Sequence, residues 1–322
     1  MKRKLLFLLF LLISVFMGCS VKEKPTVASE DVQIVAPSPA GGGWDRTARA
    51  IKDILTSKEL VNGNISIVNK VGAGGELGWK SINQEREGQV LAVNSSLLIT
   101  NQLLGRSQLR VKDFTPLATL ATEWEVVLVS KDSDISSARA LMDHLKKAPH
   151  NYRFGVSPRL GNDDQLSFVL AGRQAGIEAE QLDYYVYEDS DQVVEALLSH
   201  QVDVAAMSLS EAKRYYDSKQ VKLLVVSSHQ RVSEIPEVPT WKEEGIDLVF
   251  QHWRGVMGPA GMTEEEIQFW DETFAQMVST KEWKQTLKKY MWKDFYKNSK
   301  ETKKYLEEQS KMYEELLGAS GQ

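Results

Sequence analysis

Ile34-Val35-Ala36-Pro37-Ser38-Pro39-Ala40-Gly41-Gly42-Gly43-Trp44-Asp45-Arg46-Thr47-Ala48-Arg49-Ala50 is the stretch on which the fold turns. An apolar strand runs into two prolines and three glycines, then into a helix opening at Trp44-Asp45. Strand, flexible crook and helix N-terminus together make a place for an anion. The first-turn N–H groups have no acceptor within the helix, and the helix dipole favours negative charge there. Asp45 suits the first turn as a helix-stabilising acid, and it could also accept a hydrogen bond from a ligand. Trp44, if it faces a cleft, supplies an apolar wall.

The same design recurs downstream. Strand Ile65–Asn69 leads into Gly72-Ala73-Gly74-Gly75 and a helix over 77–84, and strand Val90–Val93 leads into Asn94-Ser95-Ser96 and a helix to Leu104. Three rounds of strand, loop and helix indicate a parallel sheet covered by helices, with the loops at the carboxyl ends of the strands. Leu117–Ala121 and Glu125–Val129 then read as two strands joined by Thr122-Glu123-Trp124. A second alternation follows, with helices expected over 138–147, 163–175, 190–199 and 210–218. Its strands are expected over 152–156, 184–187, 203–207 and 222–226. A strand is expected at Asp247–Phe250, and the remainder reads as helical over 263–279, 281–291 and 300–317. Phe269, Trp270 and Phe274 fall at helical spacing and belong to a core. Two α/β units in series imply two lobes with a cleft between them.

The 322 residues suffice for two domains, and a net charge of −5 argues against nucleic-acid binding. Lys2-Arg3-Lys4 before the apolar run Leu5–Met17 has the layout of a secretory signal, too short to span a bilayer. Gly18-Cys19 just beyond it resembles a bacterial lipobox, although Phe16 stands where Leu is usual. Cys19 is the single cysteine, so no disulfide can form within the chain. Residues 1–18 are therefore expected to be a lipoprotein signal peptide, Cys19 the lipidated residue and 19–30 a tether to the membrane.

Several chemistries fail on spacing. Gly72–Gly78 has Leu77 where a dinucleotide fingerprint needs glycine, and Gly78-Trp79-Lys80 does not complete a phosphate loop. Gly155-Val156-Ser157-Pro158-Arg159 has Arg where a nucleophile elbow needs glycine. The five histidines are scattered, with no His-x-x-x-His and no Cys pair, so no metal site is expected. Asp163 and Asp164 are adjacent on a helix start, where capping by one of them is the expected role. No cofactor is expected, and no enzymatic activity. An exported hydrolase or lyase using Asp45 or Asp163 would lack a nucleophile–base set.

Taken together in order, these segments resemble the substrate-binding proteins of tripartite tricarboxylate transporters, the TctC or Bug family. The resemblance is carried by Ala36-Pro37, Gly41–Asp45, Ala48-Arg49-Ala50 and Val68–Gly75. It continues through Gly176-Ile177, Glu195–Leu198, Arg231, Pro236–Trp241, Trp253–Val256 and Gly258–Gly261. It implies a two-lobed, type II periplasmic-binding-protein fold with two crossover strands that closes on an organic carboxylate and delivers it to a membrane permease. Lobe 1 would comprise 31–123 and 252–322, and lobe 2 would comprise 124–251. By the same resemblance the ligand contacts are Ser38, Gly41, Gly42, Gly43, Trp44 and Asp45, then Gly72, Ala73, Gly74 and Gly75, then Asn94 and Ser95. From the second lobe come Ser157, Arg159, Gly161, Asn162 and Asp163. The chain departs from the family there, carrying Ser157-Pro158-Arg159-Leu160 in place of a run of small residues; Arg159 would add a cation for a second carboxylate. The expected partners are a small organic carboxylate, the permease subunits, and the membrane through a lipid on Cys19. The protein is expected to be a monomer on the extracytoplasmic face. A receptor presenting the same ligand to a membrane signalling system is the alternative.

Overall fold

A computed structural model describes residues 31–84, 90–178 and 181–318. The signal segment, the tether and Cys19 lie outside the described residues. Among the described residues, no helix is long and apolar enough to cross a membrane.

The fold is two-lobed. In lobe 1, β1 (Val32–Ala36), β2 (Ile65–Asn69) and β3 (Val90–Asn94) run parallel in the order β2-β1-β3. Their apolar character follows from helices covering the sheet. The intervening helices are α1 (Gly43–Ser57), α2 (Glu76–Ile82) and α3 (Leu97–Leu103). Ala48, Ile51 and Leu55 put one side of α1 into the core.

Next comes β4 (Phe114–Ser130), a single strand of 17 residues rather than the two expected. Thr122-Glu123-Trp124 continues the extended backbone because partners accompany it throughout. Phe114 to Trp124 pair antiparallel with β9 (Gln251–Pro259), and from Glu125 onward the partners are β7 (Val204–Ser208) and β8 (Val221–Val226). The strand thus leaves one sheet and enters another at Trp124/Glu125. Lobe 2 adds β5 (Arg153–Val156) and β6 (Asp183–Val186), giving the order β4-β7-β5-β6 with β8 on β4. Its helices are α4 (Ala138–Lys147), α5 (Asp163–Gln174), α6 (Ser190–Leu198) and α7 (Leu209–Asp217).

The expected strand at Asp247–Phe250 is displaced to β9, which inserts between β3 and β4 of lobe 1. The chain then closes with α8 (Glu264–Ser279), α9 (Lys281–Tyr290), β10 (Lys293–Lys297) and α10 (Ser299–Gly318). A capping box between Thr263 and Glu266 starts α8. β10 pairs antiparallel with β4 and fills the gap between the last two expected helices, where no strand was expected.

Trp270, Phe274 and Trp283 from these last helices lie in the lobe 1 core beside Ile34, Val35 and Leu91. Lobe 2 has two clusters, one on each face of its sheet. A fourth cluster joins the lobes: Ile99 of α3, Leu166 of α5, Phe250, Trp253, and Leu306, Tyr313 and Leu316 of α10.

Candidate functional site

Between the lobes lies a cavity of about 250 Å³. The glycine crook after β1 delivers Ser38, Gly42, Gly43 and Trp44 to its wall, and the loop after β2 delivers Gly72 to Gly75. Ser95 comes from the end of β3, while lobe 2 supplies Ser157, Asn162 and Asp163. The N-terminal residues of α1, α5 and α6, and Glu211 in the first turn of α7, therefore converge on one space.

Trp44 donates from Nε1 to Ser95 Oγ at 3.3 Å and meets Trp79 edge-on at 5.4 Å. It is a fixed wall. Gly43 is glycine because Arg254 lies against it: a Cβ there would sit 2.6 Å from Arg254 Nη2.

Five of the residues expected at the ligand stand elsewhere. The Asp45 carboxylate accepts from Gly41 N at 2.8 Å, Arg49 Nε at 2.8 Å and Asn69 Nδ2 at 2.9 Å. Both oxygens are thereby committed to stitching the crook to β2, and Gly41 is tied back into the same knot. Although burial pushes the Asp45 carboxyl up, the hydrogen bonds from Arg49, Gly41 and Asn69 hold it below its ordinary range. Asn94 turns toward β9, where a Cβ on its partner Gly255 would meet Asn94 Oδ1 at 2.5 Å. Gly161 faces α3, its carbonyl accepting from Thr100 Oγ1 at 2.6 Å. Arg159 reaches across the cleft and donates from Nη1 to Ala73 O at 2.7 Å, so its guanidinium ties the rims rather than facing the cavity. Arg106 donates likewise to Leu160 O, and Ser96 Oγ to Asp163 Oδ2. The lobes are in contact around the cavity.

The expected cap of α5 is also corrected. Asn162 is the N-cap, accepting from Gln165 N at 3.1 Å, which leaves Asp163 and Asp164 as buried first-turn residues, both on the cavity wall.

Sequence reasoning missed the floor. The crossover strands β4 and β9 run side by side there, and alternate residues of each face the same way. Arg254 donates from Nε to Glu123 Oε1 at 3.0 Å and from Nη2 to the same oxygen, while Glu123 Oε2 accepts from Ser210 Oγ at 2.6 Å. Two residues along, His252 Nδ1 and Glu125 Oε1 are 2.7 Å apart. His252 and Arg254 line the cavity, together with Glu188, Asp189 and Glu211 from lobe 2. Polar residues at i and i+2 inside otherwise apolar strands, Glu123/Glu125 and His252/Arg254, were the available signal.

Burial dominates the electrostatics. It pushes the Asp163 carboxyl up to about 7, against the pull of the Ser96 hydrogen bond and Arg254. Asp164 and Glu125 are raised by burial and then by neighbouring carboxylates. Burial, with Arg254 nearby, holds His252 well below its ordinary value. The absence of a local His or Cys motif argued against a metal site. The fold nevertheless brings one ligand atom each from Glu125, Asp164 and His252 to within 4.8 Å of one another. Short-range spacing rules see only residues neighbouring in sequence, and these three come from β4, α5 and β9.

The sequence profile of the tripartite tricarboxylate transporter family receptors, TctC, matches residues 47–321. The chain belongs to this family. It is 27% identical over 250 residues to the UPF0065 protein in the tcbD-tcbE intergenic region of Pseudomonas sp. (strain P51), covering 74% of this chain and 71% of that one. Among solved structures, Rhodopseudomonas palustris Rpa4515 with adipate superposes with a TM-score of 0.83 at 22% identity, covering 92% of this chain and 98% of that one. MatC from the same organism with bound malate gives 0.77 at 20% identity, covering 89% and 98%. These likenesses establish the periplasmic-binding-protein fold, and the family is one of solute-binding receptors.

Proposed function

We propose that this TctC-family receptor captures a small organic carboxylate, of the di- or tricarboxylate kind, in the interlobe cavity. It then delivers the ligand to the permease subunits of a tripartite tricarboxylate-type transporter. Cys19 carries the lipid that holds the monomeric protein at the extracytoplasmic face of the membrane. The bodies that move are 31–123 with 252–322, and 124–251, which places the hinge where β4 changes sheets.

The observation that carries this reading is the convergence of helix N-termini on a cavity rimmed by glycine loops. First-turn N–H groups of Gly43 and Trp44 have no acceptor within α1, while that of Asp45 is already taken by Ser38 Oγ at 3.2 Å. Such donors neutralise a carboxylate without a buried, unpaired lysine or arginine. Ser38, Gly42, Gly43, Trp44, Gly72, Ala73, Gly74, Gly75 and Ser95 are the proposed contacts from lobe 1, and Ser157, Asn162 and Asp163 those from lobe 2. Malate and adipate in the two neighbouring structures agree with that ligand class.

Thermal-shift titration tests it, with di- and tricarboxylates, amino acids and aromatic acids against wild type and Gly74→Asp. Gly74 has φ of 63°, and a Cβ there would come 2.8 Å from Arg159 Cδ, so the variant cannot keep the loop as it is. At a hundred times Kd a ligand adds about 2.7 kcal/mol of stability. A carboxylate should stabilise the wild type and leave Gly74→Asp nearly unmoved. Equal shifts in both proteins would remove the glycine loop from the site; stabilisation by non-acidic solutes alone would overturn the ligand class.

A further inference from the structure

The cavity carries a charge problem that an organic acid alone does not solve. Asp163, Asp164, Glu188, Asp189 and Glu211 line it, and the guanidinium that joins them, Arg254, is already engaged by Glu123. Wherever these carboxyls ionise, they repel an entering anion.

At the floor, Glu125, Asp164 and His252 are all buried, and their ligand atoms lie within 4.8 Å of one another. Glu125 Oε2 and His252 Nε2 have no hydrogen-bond partner; His252 Nε2 lies 3.2 Å from Asp163 Oδ2 without forming a bond. A buried acceptor left without a donor is costly, and Glu125 Oε2 is one, on a carboxylate that faces His252. With its proton on Nε2, turned toward Asp163 Oδ2, the imidazole presents the Nδ1 lone pair to the Glu125 carboxylate, 2.7 Å from Oε1. A carboxylate behind the second ring nitrogen is how metal-bound histidines are oriented. Asp164 and His252 reach the cavity, so the cluster is open to whatever enters.

We propose that Glu125, Asp164 and His252 bind a divalent transition cation, and that the carboxylate solute enters as a further ligand of that cation. One imidazole with two carboxylates is a borderline donor set that suits Zn²⁺ or Mn²⁺. The bound cation would offset the acidic wall and give the solute an electrophilic contact on the lobe 2 side, facing the glycine loops of lobe 1. The metal site stands on its own geometry; its coupling to the solute rests on the carboxylate reading above.

The test is calorimetry on the full-length protein stripped with chelator. Titration with ZnCl₂ or MnCl₂ alone should show one site, weakened at least tenfold in His252→Gln and in Asp164→Asn. His150→Gln, at an exposed histidine 3.5 Å from Asp183, should bind as wild type. Circular dichroism confirms that each variant is folded. Co²⁺ substitution gives a direct readout: a visible ligand-field band present in wild type and lost in His252→Gln. No metal binding in wild type, or equal binding in both floor variants, overturns the proposal. Malate and adipate are then titrated with EDTA and with metal. At least tenfold tighter binding with metal supports the coupling; equal binding overturns the coupling and leaves the carboxylate reading intact. Metal binding with no carboxylate binding in either state defeats the carboxylate reading instead.

Discussion

Asp45 turns a flexible glycine crook into a fixed one. Its carboxylate holds Gly41 in its own loop, Asn69 at the end of β2 and Arg49 one turn along α1. Because its folded pKa is depressed, its contribution to stability is fully present above its ordinary value of 3.8 and is lost as pH falls through the lower folded value. Asp45→Asn should therefore cost about 1–2 kcal/mol at pH 7, Arg49 being half exposed and its share correspondingly small. The gap to wild type should close as pH drops below 3.8. Urea unfolding at neutral and acidic pH measures it; a gap that persists in acid would mean the amide is failing for another reason. At this scale the glycines were legible, because three in a row before a helix have few uses. The floor was not: Glu123, Glu125, His252 and Arg254 are unremarkable singly and acquire meaning only from the β4–β9 register.

Among elements, β4 and α10 decide how the lobes are joined. β4 was read as two strands because polar residues interrupt its apolar runs, yet those residues are what it offers to the cleft. β10 went unread because Lys293-Asp294-Phe295-Tyr296-Lys297 shows no apolar alternation; it is held by pairing with β4. α10, amphipathic and legible as a helix, gave no sign of its target. It packs Leu306, Tyr313 and Leu316 against residues of both lobes, and Leu316 O accepts from Arg173 Nη2 of α5 at 3.0 Å. Truncating Tyr313, which is fully buried, to alanine should cost about 3–5 kcal/mol by denaturant unfolding, as for other large aromatic truncations. A cost below 1 kcal/mol would show that the interlobe cluster collapses to refill the space.

For the molecule as a whole, closure is a balance of populations, shifted by whatever bridges the lobes. Arg159 to Ala73 is an exposed bridge at the rim, worth about 0.5–1.5 kcal/mol. Arg159→Ala should therefore speed ligand release a few-fold, with little change in association, as measured by stopped-flow fluorescence; unchanged release would show that the rim does not hold the lid. The two-lobed plan was readable from the break in the strand–helix rhythm near Trp124. The rim bonds were not, since Arg159 and Ala73 lie 86 residues apart and meet only in the folded chain.

The position of β9 bears on how the protein is made. Its neighbours in the lobe 1 sheet, β3 and β4, are synthesised early, but β9 lies between them and Trp270, Phe274 and Trp283 complete their core. Lobe 2 takes all its strands from one continuous run, whereas lobe 1 must wait, open along an unpaired edge, until the last third of the chain has been made. A chain with such a delay depends on being kept from premature pairing, because exposed strand edges invite aggregation. The strands made first are thus among the last to become native.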